Sequence, residues 1–473
     1  MTVGKITTKP ANKKAIFGYT FVSLIFFGIG ILCFILLWNT LVPNTSDTFG
    51  EVISDLLTTV VALIIAGGTI QQYWWVILLI VVGLMVVGFL VGWLLLFLVK
   101  KFGHILVYAG IAVYIIGAVV GILLAIPIGG VLIALISLVP VVFLIIGMFT
   151  NIRKFKRAGE FMKFTGEVVL AEKGMILAPL FVSWVSVINF LTMGSIFAYL
   201  VAIFYETSFV WAGYLVASIA SLLQLIVYYG SFYIAESINT TYAYEWYRKR
   251  DPDMKFCVRN VAGQFGPIFA FGAITAIVSW IQQMLRNAAA TSQSKGNVAG
   301  LVLAILARAI AAIVGFVFKY LTYFTLPAIT VEGLNFRSGV TRSFNLLKKY
   351  YMDVLIRETG VQRAMAIVQW IAFFIYGILG AIVGLIVKAA VPSLSWTTAM
   401  LICIIPMVIF ANIPTFFIFR PMKTAYLTFV FAYAQDEESG FNLPTRMPAN
   451  LRSDLKDARK TLDPSKSIVG IVK

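Results

Sequence analysis

Long apolar stretches alternate with shorter polar segments along most of the chain. Ten of these stretches contain 20 residues or more, and about 20 apolar residues are enough for an α-helix to cross the hydrocarbon core of a bilayer. The pattern therefore predicts an all-α fold, a polytopic transmembrane helical bundle with about ten spanning helices. The predicted spans are 15–38, 73–99, 104–126, 129–150, 175–204, 209–238, 265–284, 298–318, 364–390 and 399–419.

Basic residues are concentrated on alternate sides of this series of spans. Of the 37 Lys and Arg residues, 33 precede the first span, follow the last one or lie in every second loop. Loops rich in Lys and Arg stay in the cytoplasm, so both termini are predicted to be cytoplasmic. The net charge of +17 is then a topology signal, and we do not expect nucleic acid as a partner.

The composition agrees with an integral, multi-pass membrane protein. Hydrophobic residues make up 60% of the chain and charged residues 12%, whereas soluble domains have roughly 25% charged residues. Because nothing marks an organelle address, we expect the plasma membrane, with an organelle membrane as the alternative. The three cysteines lie in apolar or inward-facing segments, at spacings that favour neither disulfides nor a metal site.

The chain divides into a transmembrane bundle, 1–434, and a soluble cytoplasmic tail, 435–473. An apolar run within 51–72 is too short to span, so it is predicted to lie at the membrane interface. The inner segment 151–174 begins with four basic residues and contains interleaved phenylalanines. This pattern suits an amphipathic helix on anionic inner-leaflet lipids, and a solvated connector is the alternative.

Three pairs of glycines are spaced four residues apart within predicted spans. Each pair lies on one helix face and lets a neighbouring backbone come close, which is typical of helix association in membranes. These faces are interpreted as assembly surfaces, available to membrane-protein partners. The pairs are Gly88 and Gly92, Gly117 and Gly121, and Gly380 and Gly384.

The sequence contains few of the residue combinations that catalysis requires. It contains a single histidine and no combination of nucleophile and base, no paired intramembrane carboxylates and no phosphate-binding loop. We therefore expect no enzymatic activity, no catalytic residues, no cofactor and no metal.

Polar residues are nevertheless arranged along one side of the sixth span. Because lipid tails offer them no hydrogen-bond partner, this side should face protein or a water-filled cavity. Two interpretations follow, a lined substrate pathway and hydrogen bonding between helices. Glu236 of the same span and Trp184, Trp280 and Arg308 from other spans are added as candidates for the pathway. Arg308 is expected to face inward, with Glu236 as its nearest acid. The stripe consists of Tyr214, Ser218, Ser221, Gln224, Tyr228 and Ser231.

The layout of the chain resembles the choline transporter-like family. The resemblance rests on the order of spans and on local motifs at 328–338, 343–347 and 426–440. It implies ten helices, inner termini and transport of choline or a similar organic cation such as ethanolamine by alternating access. Aromatic faces are the expected binding surface for such a cation.

Other residues are equally similar to an uncharacterised group of prokaryotic polytopic membrane proteins. This second resemblance rests on Leu326-Pro327, Glu332 and Arg342-Ser343. The group is related to the membrane domain of some glycerophosphodiester phosphodiesterases. It implies no activity. The alternative to a transporter is therefore a non-catalytic membrane scaffold or assembly subunit of a larger complex.

Overall fold

A computed structural model describes residues 5–41, 82–103, 105, 108, 152–206, 210–294, 298–390, 396–439, 444–449 and 452. These residues form helices joined by turns, with no strand in any of the described ranges, as expected for an all-α bundle. The helices are α1 (Lys13–Leu41), α2 (Val82–Gly103), α3 (Ile152–Ala171), α4 (Gly174–Glu206), α5 (Val210–Tyr247), α6 (Met254–Gly263), α7 (Phe265–Ser294), α8 (Val298–Thr322), α9 (Thr325–Glu332), α10 (Phe336–Ala390) and α11 (Trp396–Ser439).

Several helices are long and apolar enough to cross a membrane. Inside a bilayer only a helix or a closed barrel satisfies its own backbone groups, which accounts for the uninterrupted helices over the apolar runs. Across the described ranges six segments meet the length and hydropathy of a span: Lys13–Cys33, Val82–Gly103, Ser218–Tyr247, Phe265–Ser292, Val302–Glu332 and Val368–Ala389. Predicted spans 175–204 and 399–419 are also helical, within α4 and α11, while 109–150 lies outside the described residues.

The largest buried core lies at one end of the bundle. There α3 packs against α10 and α11, and the C-terminal end of α5 packs against α11. Phe164 of α3 contacts both Trp246 and Phe429, with ring centroids 5.1 and 4.7 Å apart. Predicted inner segment 151–174 is therefore helical, and Phe161, Met162 and Phe164 are buried against protein instead of facing lipid.

Glycines allow α10 and α11 to approach closely. A Cβ atom at Gly380 would lie 2.7 Å from the Cα of Ile404, and one at Gly384 would lie 3.0 Å from the Sδ of Met400. Gly88 and Gly92 are likewise buried, and Tyr376 of α10 donates a hydrogen bond to the Gly88 carbonyl at 3.2 Å. These two predicted glycine pairs thus mediate packing within the chain; Gly117 and Gly121 lie outside the described residues.

Both ends of the described chain meet the same end of the bundle. The Thr7 amide donates to the Val331 carbonyl at the end of α9, and the Arg446 amide donates to the Tyr247 carbonyl at the end of α5. Helix α11 continues to Ser439, beyond the expected boundary at 434, so the start of the predicted tail belongs to the bundle. Residues 51–72 and 453–473 lie outside the described part of the chain.

Candidate functional site

Four aromatic residues form a continuous column along α5: Tyr228, Tyr229, Phe232 and Tyr233. Their spacing of one, three and four residues places them on adjoining positions of one helix surface. Neighbouring ring centroids lie 5.1 to 6.3 Å apart, and Phe271 of α7 continues the contact at 4.4 Å from Tyr233. The aromatic column therefore presents several ring faces within a predicted membrane span.

The column ends at a carboxylate near the C-terminal end of the predicted span 209–238. Glu236 lies one turn beyond Phe232 and accepts hydrogen bonds from Nε of Arg420, at 3.2 Å, and from the hydroxyl of Thr424, at 2.7 Å. The Arg420 guanidinium carbon lies 3.6 Å from the centroid of the Phe232 ring. Only 10% of the Arg420 side chain and 13% of the Glu236 side chain are exposed. We call these four residues the Glu236 site.

This site holds the cationic guanidinium of Arg420 by complementary contacts. The carboxylate supplies charge, its oxygens accept hydrogen bonds, and the Phe232 ring supplies a negative face for the cation. Because little water reaches the pair, each contact is stronger than at an exposed surface. In the described ranges no three His, Cys, Asp or Glu side chains converge as a metal site would require.

The residues of the predicted polar stripe do not all point into one space. Ser231 is buried and shares a 2.7 Å hydrogen bond with Tyr19 of α1. The Ser221 hydroxyl donates to the Ser218 carbonyl of its own helix at 2.8 Å. The backbone carbonyl of Gln224 accepts a long hydrogen bond, 3.5 Å, from the side-chain amide of Asn189 on α4. The hydroxyls of Ser221 and Ser231 therefore form hydrogen bonds within the bundle.

The remaining predicted residues are dispersed. Tyr228 joins the aromatic column, although 37% of it is exposed. Trp280 is partly exposed on α7, whereas the side chains of Trp184 and Tyr214 lie outside the described part of the structure. Arg308 lies on the exposed side of α8, contrary to the expectation that it faces inward.

Glu236 is paired with Arg420 instead of Arg308 because of how the helices pack. The inner half of α5 packs against α11, while α8 packs mainly against α7. Arg420 is not among the candidates from sequence, because it lies one residue beyond the predicted span 399–419, among the charges that indicate topology. The sequence signal for the pair is an acid near the inner end of one predicted span and a base near the inner end of another.

A buried ion pair lies at the end of the bundle where residues 5–12 and 444–449 pack. Arg248 and Asp436 are joined at 2.7 Å, and their side chains are only 2% and 0% exposed. Tyr247 donates to Asp436 at 3.2 Å, and Arg248 donates to the Tyr244 hydroxyl at 3.3 Å. Burial raises the pKa of the Asp436 carboxyl, and the Arg248 guanidinium opposes that shift.

A second set of polar contacts extends this ion pair to two more helices, α9 and α10. Gln435 accepts a hydrogen bond from Tyr244 at 3.0 Å and donates to Glu332 at 2.7 Å. Arg342 then holds Glu332 through two nitrogens and contacts Glu438 at 2.7 Å. We call all these residues the inner network; it joins the ends of α5, α9 and α11 to the first turns of α10.

The N-terminal residues 5–12 form a strap against the same end. Lys9 donates to the Gly333 carbonyl at 2.6 Å, and the side chain of Gln264 donates to the Thr7 carbonyl at 3.3 Å. The Asn12 amide donates to the Ala262 carbonyl at 3.1 Å. Gly333 adopts φ +68°, a conformation that favours glycine, as it ends α9 beneath the strap.

Comparison with known proteins matches part of the chain to a family but assigns it no function. Residues 211–441 match a family of unknown function, DUF6159. This region runs from α5 to the end of α11 and contains the Glu236 site together with the inner network. No curated protein matches the chain.

Proposed function

We propose that this protein is a transporter of small organic cations, with ten spans, cytoplasmic termini and no enzymatic activity. The observation that carries the proposal is the Glu236 site, where a carboxylate and a ring hold a guanidinium between α5 and α11. Ionisable residues inside membrane spans often belong to substrate or ion pathways, because an apolar environment makes them expensive to retain.

The chemistry of the site favours organic cations over other solutes. A cation such as choline or ethanolamine combines a positive charge with apolar or hydrogen-bonding groups, which the aromatic column and Glu236 accommodate together. The resemblance to the choline transporter-like family supports the same substrate class. Alternating access requires a closed end, and the inner network provides the contacts that would have to open on the cytoplasmic side.

Uptake into proteoliposomes tests the proposal. Vesicles containing the protein should accumulate radiolabelled choline or ethanolamine faster than empty vesicles, and Glu236→Gln should remove most of that uptake. Glu160→Gln is the matched control, because Glu160 pairs with Lys163 on α3, away from the site. Uptake no faster than in empty vesicles, for either substrate, would refute transport.

A second comparison tests the aromatic column. Tyr228→Ala should reduce uptake more than Leu215→Ala, since Leu215 is an exposed apolar residue of the same helix. Equal effects of the two substitutions would remove Tyr228 from the pathway.

A membrane scaffold is the second candidate, favoured by the hydrogen bonds that consume polar groups of α5. Besides the Tyr19–Ser231 contact, Ser279 of α7 donates to the Tyr229 hydroxyl at 3.1 Å. If the chain is a scaffold, Glu236→Gln should lower thermal stability while wild-type vesicles show no cation uptake.

A further inference from the structure

We infer that Arg420 is a tethered occupant of the substrate site, and that a free organic cation binds by displacing its guanidinium from Glu236 and Phe232. This inference rests on the proposed function and assigns it a specific site. It also ranks the substrates, placing cations with N–H donors above quaternary ammonium compounds.

The contacts of Arg420 are those that a small organic cation would need. Its Nε donates to one oxygen of Glu236, and its planar guanidinium lies over the Phe232 ring. The other oxygen of Glu236 is held by Thr424, which keeps the carboxylate oriented when the guanidinium leaves. Carboxylate, ring face and supporting hydroxyl together make a site for a cation.

Comparison with the inner network indicates which ion pair can exchange. The Arg420–Glu236 contact is 3.2 Å long with side chains 10% and 13% exposed, whereas Arg248–Asp436 is 2.7 Å long with side chains 2% and 0% exposed. A longer, less enclosed contact is weaker and is reached more readily from outside. A free cation should therefore replace Arg420 more readily than Arg248, which is the more enclosed of the two arginines.

The identity of the occupant defines the preferred ligand. A guanidinium or primary ammonium group can reproduce both the hydrogen bond to Glu236 and the contact with Phe232. A quaternary ammonium group has no N–H donor, so it reproduces the charge and the ring contact alone. The site should therefore bind methylguanidine and ethanolamine more tightly than choline.

Binding also changes the connection between two helices. Arg420 and Thr424 both belong to α11, and Glu236 belongs to α5. Displacing Arg420 removes one of the links between these helices, so occupancy by a free cation would loosen α11 from α5. Such a differential contact is what allows a ligand to shift a conformational equilibrium.

Calorimetric binding to the purified full-length protein tests the inference without requiring transport. Arg420→Met should bind methylguanidine about 10- to 100-fold tighter than wild type, because the guanidinium of Arg420 no longer competes with the ligand for the site. Glu236→Gln should weaken binding by about tenfold or more. Arg250→Met, which removes a paired arginine outside the Glu236 site and the inner network, should leave the affinity unchanged.

Phe232→Leu provides a test that leaves both charges in place, in case the Arg420 variant folds poorly. It should weaken methylguanidine binding while the protein retains its thermal unfolding transition. The inference would be overturned if methylguanidine bound Arg420→Met no more tightly than wild type. It would also be overturned if neither Glu236→Gln nor Phe232→Leu weakened binding relative to wild type.

The outcomes separate the site from the transport proposal. Tighter binding by Arg420→Met together with no uptake in vesicles would support the exchange site and refute transport. Uptake that is unaffected by Glu236→Gln and Arg420→Met would support transport through another route and overturn the exchange site.

Discussion

Removal of Arg248 should destabilise the protein strongly, because it would leave Asp436 buried without its counter-ion. Two unit charges about 4 Å apart attract each other by about 4 kcal/mol at an effective dielectric constant of about 20, and the paired atoms of Arg248 and Asp436 are closer still, at 2.7 Å. Breaking a buried pair from one side typically costs about 3–5 kcal/mol. We therefore expect Arg248→Met to lower the free energy of unfolding by about 3–5 kcal/mol.

Arg250→Met is the matched control for this substitution. Arg250 pairs with Glu245 at 2.9 Å; 41% of the Arg250 side chain is exposed, although only 7% of the Glu245 side chain is. Because water reaches the Arg250 end of this pair, its loss should cost less than the loss of Arg248. The two variants change the same residue type only two positions apart, and they differ mainly in burial.

Unfolding monitored by tryptophan fluorescence in detergent gives the measurement, and a double-mutant cycle sharpens it. Arg248→Met combined with Asp436→Leu should recover most of the lost stability, since both buried charges are then absent.

The loss of unfolding free energy caused by Arg248→Met alone should also become smaller as the pH falls. Without Arg248, the raised pKa of the Asp436 carboxyl rises further, so this group becomes neutral in the folded protein before it does in the unfolded chain.

Two results would refute the reasoning. If Arg248→Met is no more destabilising than Arg250→Met, burial does not set the strength of the pair. Alternatively, the double variant could lose the sum of the two single effects, which would mean that the charges are not coupled.

The other predictions concern helix packing and the strap, and all are measured as changes in thermal unfolding. Gly380→Ala should destabilise by about 1–3 kcal/mol, because the new Cβ meets the backbone of α11 at 2.7 Å, whereas Gly377→Ala, with open space around it, should be neutral or stabilising. Tyr19→Phe should cost about 0.6 kcal/mol, as it loses one hydrogen bond to α5 and keeps its ring contacts; a neutral result would show that this bond contributes nothing. Lys9→Met should cost about 1–2 kcal/mol through loss of a charged hydrogen bond at the end of α9, while Lys5→Met, at an exposed position, should have no effect.

The helical fold was accessible from sequence because the apolar runs are long. The packing of Gly380 and Gly384 was also predictable, since a spacing of four fixes a common helix face whatever the partner. Partner choice was not predictable in the same way. Glu236 could have paired with any inward-facing base, and only the contact between α5 and α11 selects Arg420 over Arg308.

The inner network escaped prediction for a related reason. Asp436 follows an apolar helix and precedes two further acids, a pattern that usually indicates a solvated end. Its burial depends on Arg248, which lies 188 positions earlier and was itself interpreted as one of many topology-determining charges. Local periodicity identifies which residues share a helix face, but not which distant charge they meet.

The strap imposes an order on biosynthesis. Lys9 and the carbonyl that it binds are 324 positions apart, so the partner of the first segment is made only after most of the chain. At about 5–20 residues per second, the ribosome needs roughly 16–65 s to bridge that interval. During that time residues 5–12 lack their partners at the end of α9, and the strap can dock there only after α9 has been synthesised.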